Sequence, residues 1–471
     1  MPPPDTFFFP SSGLMTPAGG WLYVANSNAD LRYNDGTLVM VDTTAAAVDR
    51  DPTQKSWPAC PQVDYVNPLP RTDPPTCCWD ALDSNILNCD ERLYIQSDAT
   101  VRIGSFAAGM VWQDSGYCTP TVNGSGRMFI GVRGDTSLTW VDVNQDPSLA
   151  HPTLNCSDQP GPLAECTQKV VDTTSDLGSA VTDPNPPQIG LPDEPYALEI
   201  DQGLGLLYVG HLVGNTSVAD SGGISLFKVG GAMPQFVGPF SSPFPANSAG
   251  AFGVTAINLH PSYSGGSSHE IFVSSRYLPL VTSMVPYVPG DPPLLTTFTC
   301  GGLNDLVVLP AGETLSSGLT GSEMRGVEFL DPTTSGTPQR AFALQRVPPD
   351  LVTFDITTTE SGGTIPVVSS VVETCSSPTF LYKHQIGNST RLYVSCFDTG
   401  EIYVFDVNGP SLITSLQAAR GPAGMVFDPL RPVAYVLDFS HNDVAVVDLT
   451  PGSPTEDHVI QRLGFPSVSP R

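Results

Sequence analysis

One short unit recurs along this chain. An aromatic residue, usually followed by Val or Ile, sits in an alternating strand; after a turn comes a second alternating strand that tends to end in Asp. The clearest copy is 391–407, RLYVSCFDTGEIYVFDV, with Asp398-Thr399-Gly400 as the turn. Aligned on the aromatic, the copies are WLYVANS at Tyr23, RMFIGVR at Phe129, LLYVGHL at Tyr208, EIFVSSR at Phe272, RAFALQR at Phe342, RLYVSCF at Tyr393 and VAYVLDF at Tyr435. Six of the seven place Val or Ile next, and Ala343 is the exception. The following strand is visible in six copies, at 38–42, 138–142, 224–228, 351–355, 402–406 and 444–448; five end in Asp and one in Lys228. In the fourth copy the pattern is weak and runs into Pro286.

Upstream of each aromatic lies another short strand, usually behind a small residue or proline, as in 108–112, 195–198, 253–256, 325–328, 378–381 and 423–426. A fourth strand follows downstream, as at 100–105 and 458–464. Four strands per repeat with turn signals between them describe a propeller blade. A lone blade cannot bury both faces, so neighbours stack and the ring closes. Single alternating strands would also suit a sandwich, but seven in-phase copies favour the ring.

The LYVAN, LYVGH and LYVSC cores, each with its following strand, resemble the YVTN-repeat family of seven-bladed β-propellers. The resemblance covers most of the chain apart from two insertions. It implies an all-β fold of four-stranded antiparallel blades, one propeller domain over 1–471. Such propellers serve as surface proteins, binding platforms and, in relatives, lactonases, and fold alone does not choose among these.

Seven blades of about 45 residues use roughly two-thirds of a chain this long. The remainder fits a disulfide-rich insertion in blade one, 44–91, and a second insertion in blade two, 144–187. Both occupy the connection between third and fourth strands of adjacent blades, so one shared lobe on one side is expected. A Gly-rich stretch, 301–322, reads as the crossing into blade five. Phe7, Phe8 and Phe9 are expected to pack an N-terminal arm against the ring. With 47 Asp and Glu against 20 Lys and Arg, the net charge is −27, which disfavours nucleic acid and anionic membranes as partners. No run approaches a membrane span.

Ten cysteines, Cys60, Cys77, Cys78, Cys89, Cys118, Cys156, Cys166, Cys300, Cys375 and Cys396, fall mostly in loops and at strand ends. No CxxC pair of the zinc type is present, and an even count favours disulfides and an oxidising compartment. The adjacent Cys77 and Cys78 need separate partners, Cys156 and Cys166 can bridge locally, and Cys375 with Cys396 is the first pairing to expect among the rest. The expected location is extracellular, cell-surface or periplasmic. The opening MPPPDTFFFP has no charged n-region or apolar h-region, so a mature or truncated form is expected.

The sequence lacks GxSxG, HExxH, Walker A and a strand-to-helix GxGxxG, and it has only four lysines. Attention falls on the axial mouth. Alignment places Asn26, Arg133, His211, Arg276, Arg346, Asp398 and Asp438 just after the aromatic strands, where they would rim the mouth and could bind an anionic small ligand. The bland reading, ordinary loop residues satisfied by their neighbours, carries more weight. Asn26, Asn28 and Asp30 alternate like the start of a calcium loop, although no Glu closes it; an Asx-rich turn is the alternative. Glu199 and Glu328, on inner strands, are the carboxylates to test as ligands for Ca2+ or another divalent cation. Arg133-Gly134-Asp135 reads as a turn. The leading expectation is a non-catalytic binding or structural module whose partner is a protein or extracellular polymer. The alternatives are a metal-assisted lactonase-type hydrolase with its site at the mouth, or an accessory subunit of an extracellular assembly.

Overall fold

The seven aromatic strands each sit second in a four-stranded antiparallel blade. The structure, a computed structural model, describes residues 1–51, 53–61, 69, 71–114, 125–157, 161–172, 188–189, 191, 193–213, 223–231, 233–240, 253–259, 271–287, 307–316, 321–330, 339–358, 364–387 and 389–466. Inner strands, in blade order, are Pro10–Met15, Ala107–Asp114, Pro195–Asp201, Val254–Leu259, Ser322–Leu330, Pro378–Ile386 and Pro422–Phe427. The fourth blade's third strand runs Leu280–Tyr287, straight through Pro286. The 301–322 stretch is not a bare crossing, because Val307–Ser316 within it is blade four's outer strand.

The repeated aromatics explain why the blades stack. All seven are at most 2% exposed. Each shares a core with the second strand of the next blade. Tyr23 meets Met128 and Ile130, Tyr208 meets Ile271 and Val273, and Tyr393 meets Ala434 and Val436. Tyr435 meets Leu22 and Val24, which carries the same contact across from blade seven to blade one. Burying one such side chain is worth about 1.5–3 kcal/mol, so the repeat supplies similar adhesion at every interface.

Ring closure has a further device. The four strands of blade one come from the N-terminal part of the chain and the first four of blade seven from the C-terminal part, so neither blade's basic four strands mix the two ends. Between the third strand of blade one, Gly36–Asp42, and its fourth, Val101–Ile103, the chain leaves to reach blade seven. There Leu87–Cys89 pairs in parallel with the outer strand His458–Leu463, and Cys77–Trp79 adds a sixth strand. Cys77–Cys89 and Cys60–Cys78 staple this hairpin. The helix Thr43–Arg50 begins the excursion, with Asp42 accepting from the Thr44 and Ala45 amides. Gln461 Nε2 donates to Ala46 O at 3.1 Å, and the Arg431 guanidinium donates to Thr43 O and Oγ1 at 2.5 and 2.6 Å. The N-terminal arm adds Phe7 to the seam core, and Phe9 N donates to Asn442 Oδ1 at 2.8 Å.

The second insertion behaves differently. Thr153–Asn155 folds back on the third strand of its own blade, and Arg102 of blade one bridges to Glu165. Cys156 is bonded to Cys166. Among the described residues the two insertions go to different places: one extends blade seven, and the other augments blade two beside blade one, where a shared lobe is expected from the sequence. Cys375, after blade five's outer strand, is bonded to Cys396 of blade six. Cys118 and Cys300 lie outside the described residues. Among the described residues no helix is long and apolar enough to cross a membrane.

Candidate functional site: the axial channel

The channel is built by a fault placed at the same point in every blade. Each inner strand pairs with its neighbour through a register shift near its start: Pro10/Ser12, Ala107/Met110, Pro195/Ala197, Val254/Ala256, Met324/Gly326, Pro378/Phe380 and Pro422/Gly424. A bulge leaves the extra residue without a ladder partner and turns it away from the sheet. The skipped residues, Ser11, Ala108 with Gly109, Tyr196, Thr255, Arg325, Thr379 and Ala423, all line one axial cavity of about 490 Å3. Several also tie neighbouring blades: Ser11 Oγ donates to Ala107 O at 2.8 Å, and Thr255 Oγ1 donates to Met324 O. Ser11, Ala108, Gly109, Thr255, Thr379 and Ala423 are small, whereas Tyr196 and Arg325 are not. A Cβ on Gly109 would lie 2.5 Å from Tyr196 O, so the backbones approach too closely there for any other residue.

Two carboxyls face this bore, Glu199 from blade three and Glu328 from blade five. Burial pushes Glu199 from an ordinary 4.5 up to about 8; the Ile200 backbone hydrogen bond opposes this, while Glu328 and Asp201 add to it. Burial likewise pushes Glu328 up to about 7, opposed by Lys383 through its charge and a backbone hydrogen bond. The Lys383 ammonium itself donates to Phe329 O. Deep in a narrow bore, the neutral form of each acid is favoured because the charged form loses its water. Near neutral pH the pair therefore retains protons and can donate as well as accept hydrogen bonds.

Arg133, Arg346, Arg276, His211 and Asp438, also singled out from sequence, are held by local partners among the described residues. Arg133 Nη2 donates to Glu194 Oε1 at 3.0 Å, just ahead of blade three. Arg346 pairs with Glu323 at 3.4 Å and donates to Ser377 Oγ at 2.9 Å. Arg276 donates to Leu212 O at 3.4 Å and lies over the Tyr277 ring. These three arginines tie neighbouring segments to one another, and only Arg133 also edges the channel. His211 is fully buried, with Nε2 2.9 Å from Ser225 Oγ, so it faces its own blade instead of the bore. Asp438 is also fully buried, accepting from the Arg420, Ser440 and His441 amides. Asp398 is exposed on its turn.

The calcium-like loop is an Asx network. Asn26 Oδ1 accepts from Phe8 N, and its amide donates to Thr6 O and Thr37 Oγ1. Asn28 Oδ1 accepts from Tyr33 N, and its amide donates to Tyr33 O and Ser105 Oγ. Asp30 accepts from Arg32 N and pairs with the Arg32 side chain. The oxygens are turned to local backbone in the manner of such turns. Arg133-Gly134-Asp135 is a turn as expected, with Asp135 accepting from Ser137 Oγ and Lys169 Nζ.

Sequence reading missed His441 and Asp443, which join Asp438 in a buried cluster within DFSHND. The density of ligand-type residues in six positions was the available signal. The bulges had a weaker signal, the small residue or proline that opens each inner strand.

Fold and channel together define a seven-bladed β-propeller with an axial cavity. No family profile matches the chain, and no curated protein matches it. Among solved structures, the chain is similar to the Swd1 β-propeller domain of Myceliophteria thermophila at 8% identity and TM-score 0.48, covering 94% of this chain and 98% of that one. A candidate 6-phosphogluconolactonase from Bacteroides uniformis gives 12% identity and TM-score 0.44, covering 86% and 83%. A protein of unknown function from Desulfotomaculum acetoxidans gives 11% identity and TM-score 0.44, covering 79% and 92%.

Proposed function

We propose that the protein is an exported, non-catalytic binding propeller of the YVTN-repeat kind, holding a small, uncharged, hydroxyl-bearing ligand in its axial channel. The observation that carries this reading is the Glu199–Glu328 pair, two carboxyls in one bore with proton affinities raised to about 8 and about 7. Protonated carboxyls in a cavity that mixes small and apolar residues with Asn258, Tyr196 and Tyr382 supply directional hydrogen bonds to a neutral polar guest. Four disulfides among the described residues support an oxidising compartment.

The test is equilibrium binding of a panel of neutral monosaccharides and simple lactones at pH 6 and pH 9, on wild type and on the E199Q/E328Q variant. Wild type is expected to bind at pH 6 and to weaken at pH 9, as the acids ionise. The amide variant should bind equally at both. Release of acid from a lactone, dependent on added Ca2+ or Zn2+ and lost in E199A, would overturn this reading in favour of a metal-assisted hydrolase.

A further inference from the structure

We infer that Asp438, His441 and Asp443 form a buried site for one divalent transition-metal ion at the seam of the ring. The three lie on the second-to-third-strand hairpin of blade seven, Val433–Asp438 leading into Asp443–Asp448. Each offers one ligand atom, and these atoms lie within 4.8 Å of one another. Atoms bound to one ion at about 2.0–2.4 Å can be no farther apart than roughly twice that. One imidazole and two carboxylates suit a borderline first-row ion better than a purely oxygen-seeking one.

Proximity alone would not make a site, since Asp438 has another use: its carboxylate organises the hairpin through the Ser440 and His441 amides, and His441 Nδ1 lies 3.2 Å from Asp438 Oδ2. Asp443 is the independent observation. It is fully buried, and neither of its carboxylate oxygens accepts a hydrogen bond. Arg462 Nη1 stands 3.5 Å from one oxygen, longer than a good hydrogen bond, and leaves the other unaddressed. Buried carboxylates are ordinarily hydrogen-bonded, paired at close range or bound to metal. Two aspartates at close range in a dry pocket repel, and a dication between them would remove that repulsion.

The location gives the ion a task. The hairpin tip is clamped to the N-terminal arm through Asn442 and Phe9, whose ring lies 5.2 Å from that of Phe439. An ion here would fix the hairpin where the two ends of the ring meet. This site is separate from the channel, and its success or failure does not depend on the ligand proposed there.

The full-length chain should be expressed with Co2+ supplied in the medium, so that the ion is present as the ring closes, then purified, dialysed and analysed for metal. One equivalent of Co2+ with visible absorption from a nitrogen- and oxygen-ligated ion is expected in wild type. D443N, which keeps the side-chain shape, should lower Co2+ affinity by about a hundredfold or more, and E199Q/E328Q should leave it unchanged. Wild type without stoichiometric Co2+ would overturn the proposal. So would D443N retaining the ion as tightly, or an ion lost with the two glutamates instead. If D443N does not fold, X-ray absorption on wild-type Co2+ protein decides: a shell lacking imidazole refutes the assignment.

Discussion

The axial channel and the seam between blades seven and one both hold carboxyl groups, half-buried in the one and fully buried in the other, and they are built by opposite means. The channel is made by repetition. The same bulge, seven times over, presents a residue to the bore, and Glu199 and Glu328 are variations at inner-strand positions. The seam is made by exceptions. A parallel strand from an insertion, two disulfides within that insertion, an N-terminal arm and the DFSHND hairpin converge here, whereas among the described residues the boundary of blades five and six carries the single Cys375–Cys396 bridge and that of blades one and two the Arg102–Glu165 strand bridge. A closed ring loses little when one of its equivalent interfaces is weakened, whereas the boundary where the chain begins and ends lacks covalent continuity. That is the boundary carrying the additional bonds.

If this contrast is right, the largest effect should come from the staple on the hairpin that crosses the seam. C77A/C89A is expected to lower unfolding stability by about 2–4 kcal/mol, read as a fall in the urea midpoint. C156A/C166A removes a bridge of similar span, 10 residues against 12, from an insertion that does not pair with blade seven. It should lose distinctly less. Equal losses would mean that the seam has no special share in holding the ring.

The two regions also differed in how legible they were. Tyr23 to Tyr435 repeat in phase, so the blades and their stacking could be read directly, and the inner-strand glutamates followed from the alignment. The seam could not be read because its partners are remote: Leu87 pairs beside Gln461 and Ala46 receives Gln461 Nε2. Nothing in the local pattern of 44–91 encodes an attachment to blade seven. The contacts of the rim arginines were illegible for another reason. Arg133 and Arg276 follow their strands, while Arg346 lies within Gln339–Val347, and in a chain with 47 acidic residues each guanidinium has a nearby carboxylate or carbonyl to meet.

A smaller effect should distinguish the channel by its pH dependence. With native values near 8 and 7 against an ordinary 4.5, Glu199 and Glu328 hold protons in the folded state that the unfolded chain releases. Stability from this source is therefore greatest below about pH 4.5, falls as pH rises and levels off above about 8. E199Q/E328Q removes that slope. The wild-type-minus-variant difference, which cancels every other titrating group, should change by about 1–3 kcal/mol across the window. A difference independent of pH would show that the two acids are ionised in the bore, and would favour a bound cation there.

The smallest effect compares one repeat position in two settings. Asp42 and Asp406 each end a third strand and accept backbone hydrogen bonds just beyond it. Asp42 Oδ1 takes the Thr44 and Ala45 amides at 2.9 and 2.8 Å and starts the helix whose Ala46 carbonyl meets Gln461. Asp406 Oδ1 takes the Asn408 amide at 2.9 Å in an exposed turn that leads straight into the next strand. Loss of a helix N-cap costs about 1 kcal/mol, whereas an exposed turn substitution usually stays within about 0.5 kcal/mol. D42A should therefore destabilise more than D406A. Its loss should appear as faster amide exchange in the helix and in Leu87–Cys89, with the channel strands unchanged. Equal effects, or exchange that spreads evenly around the ring, would mean the insertion and blade seven do not open as one unit.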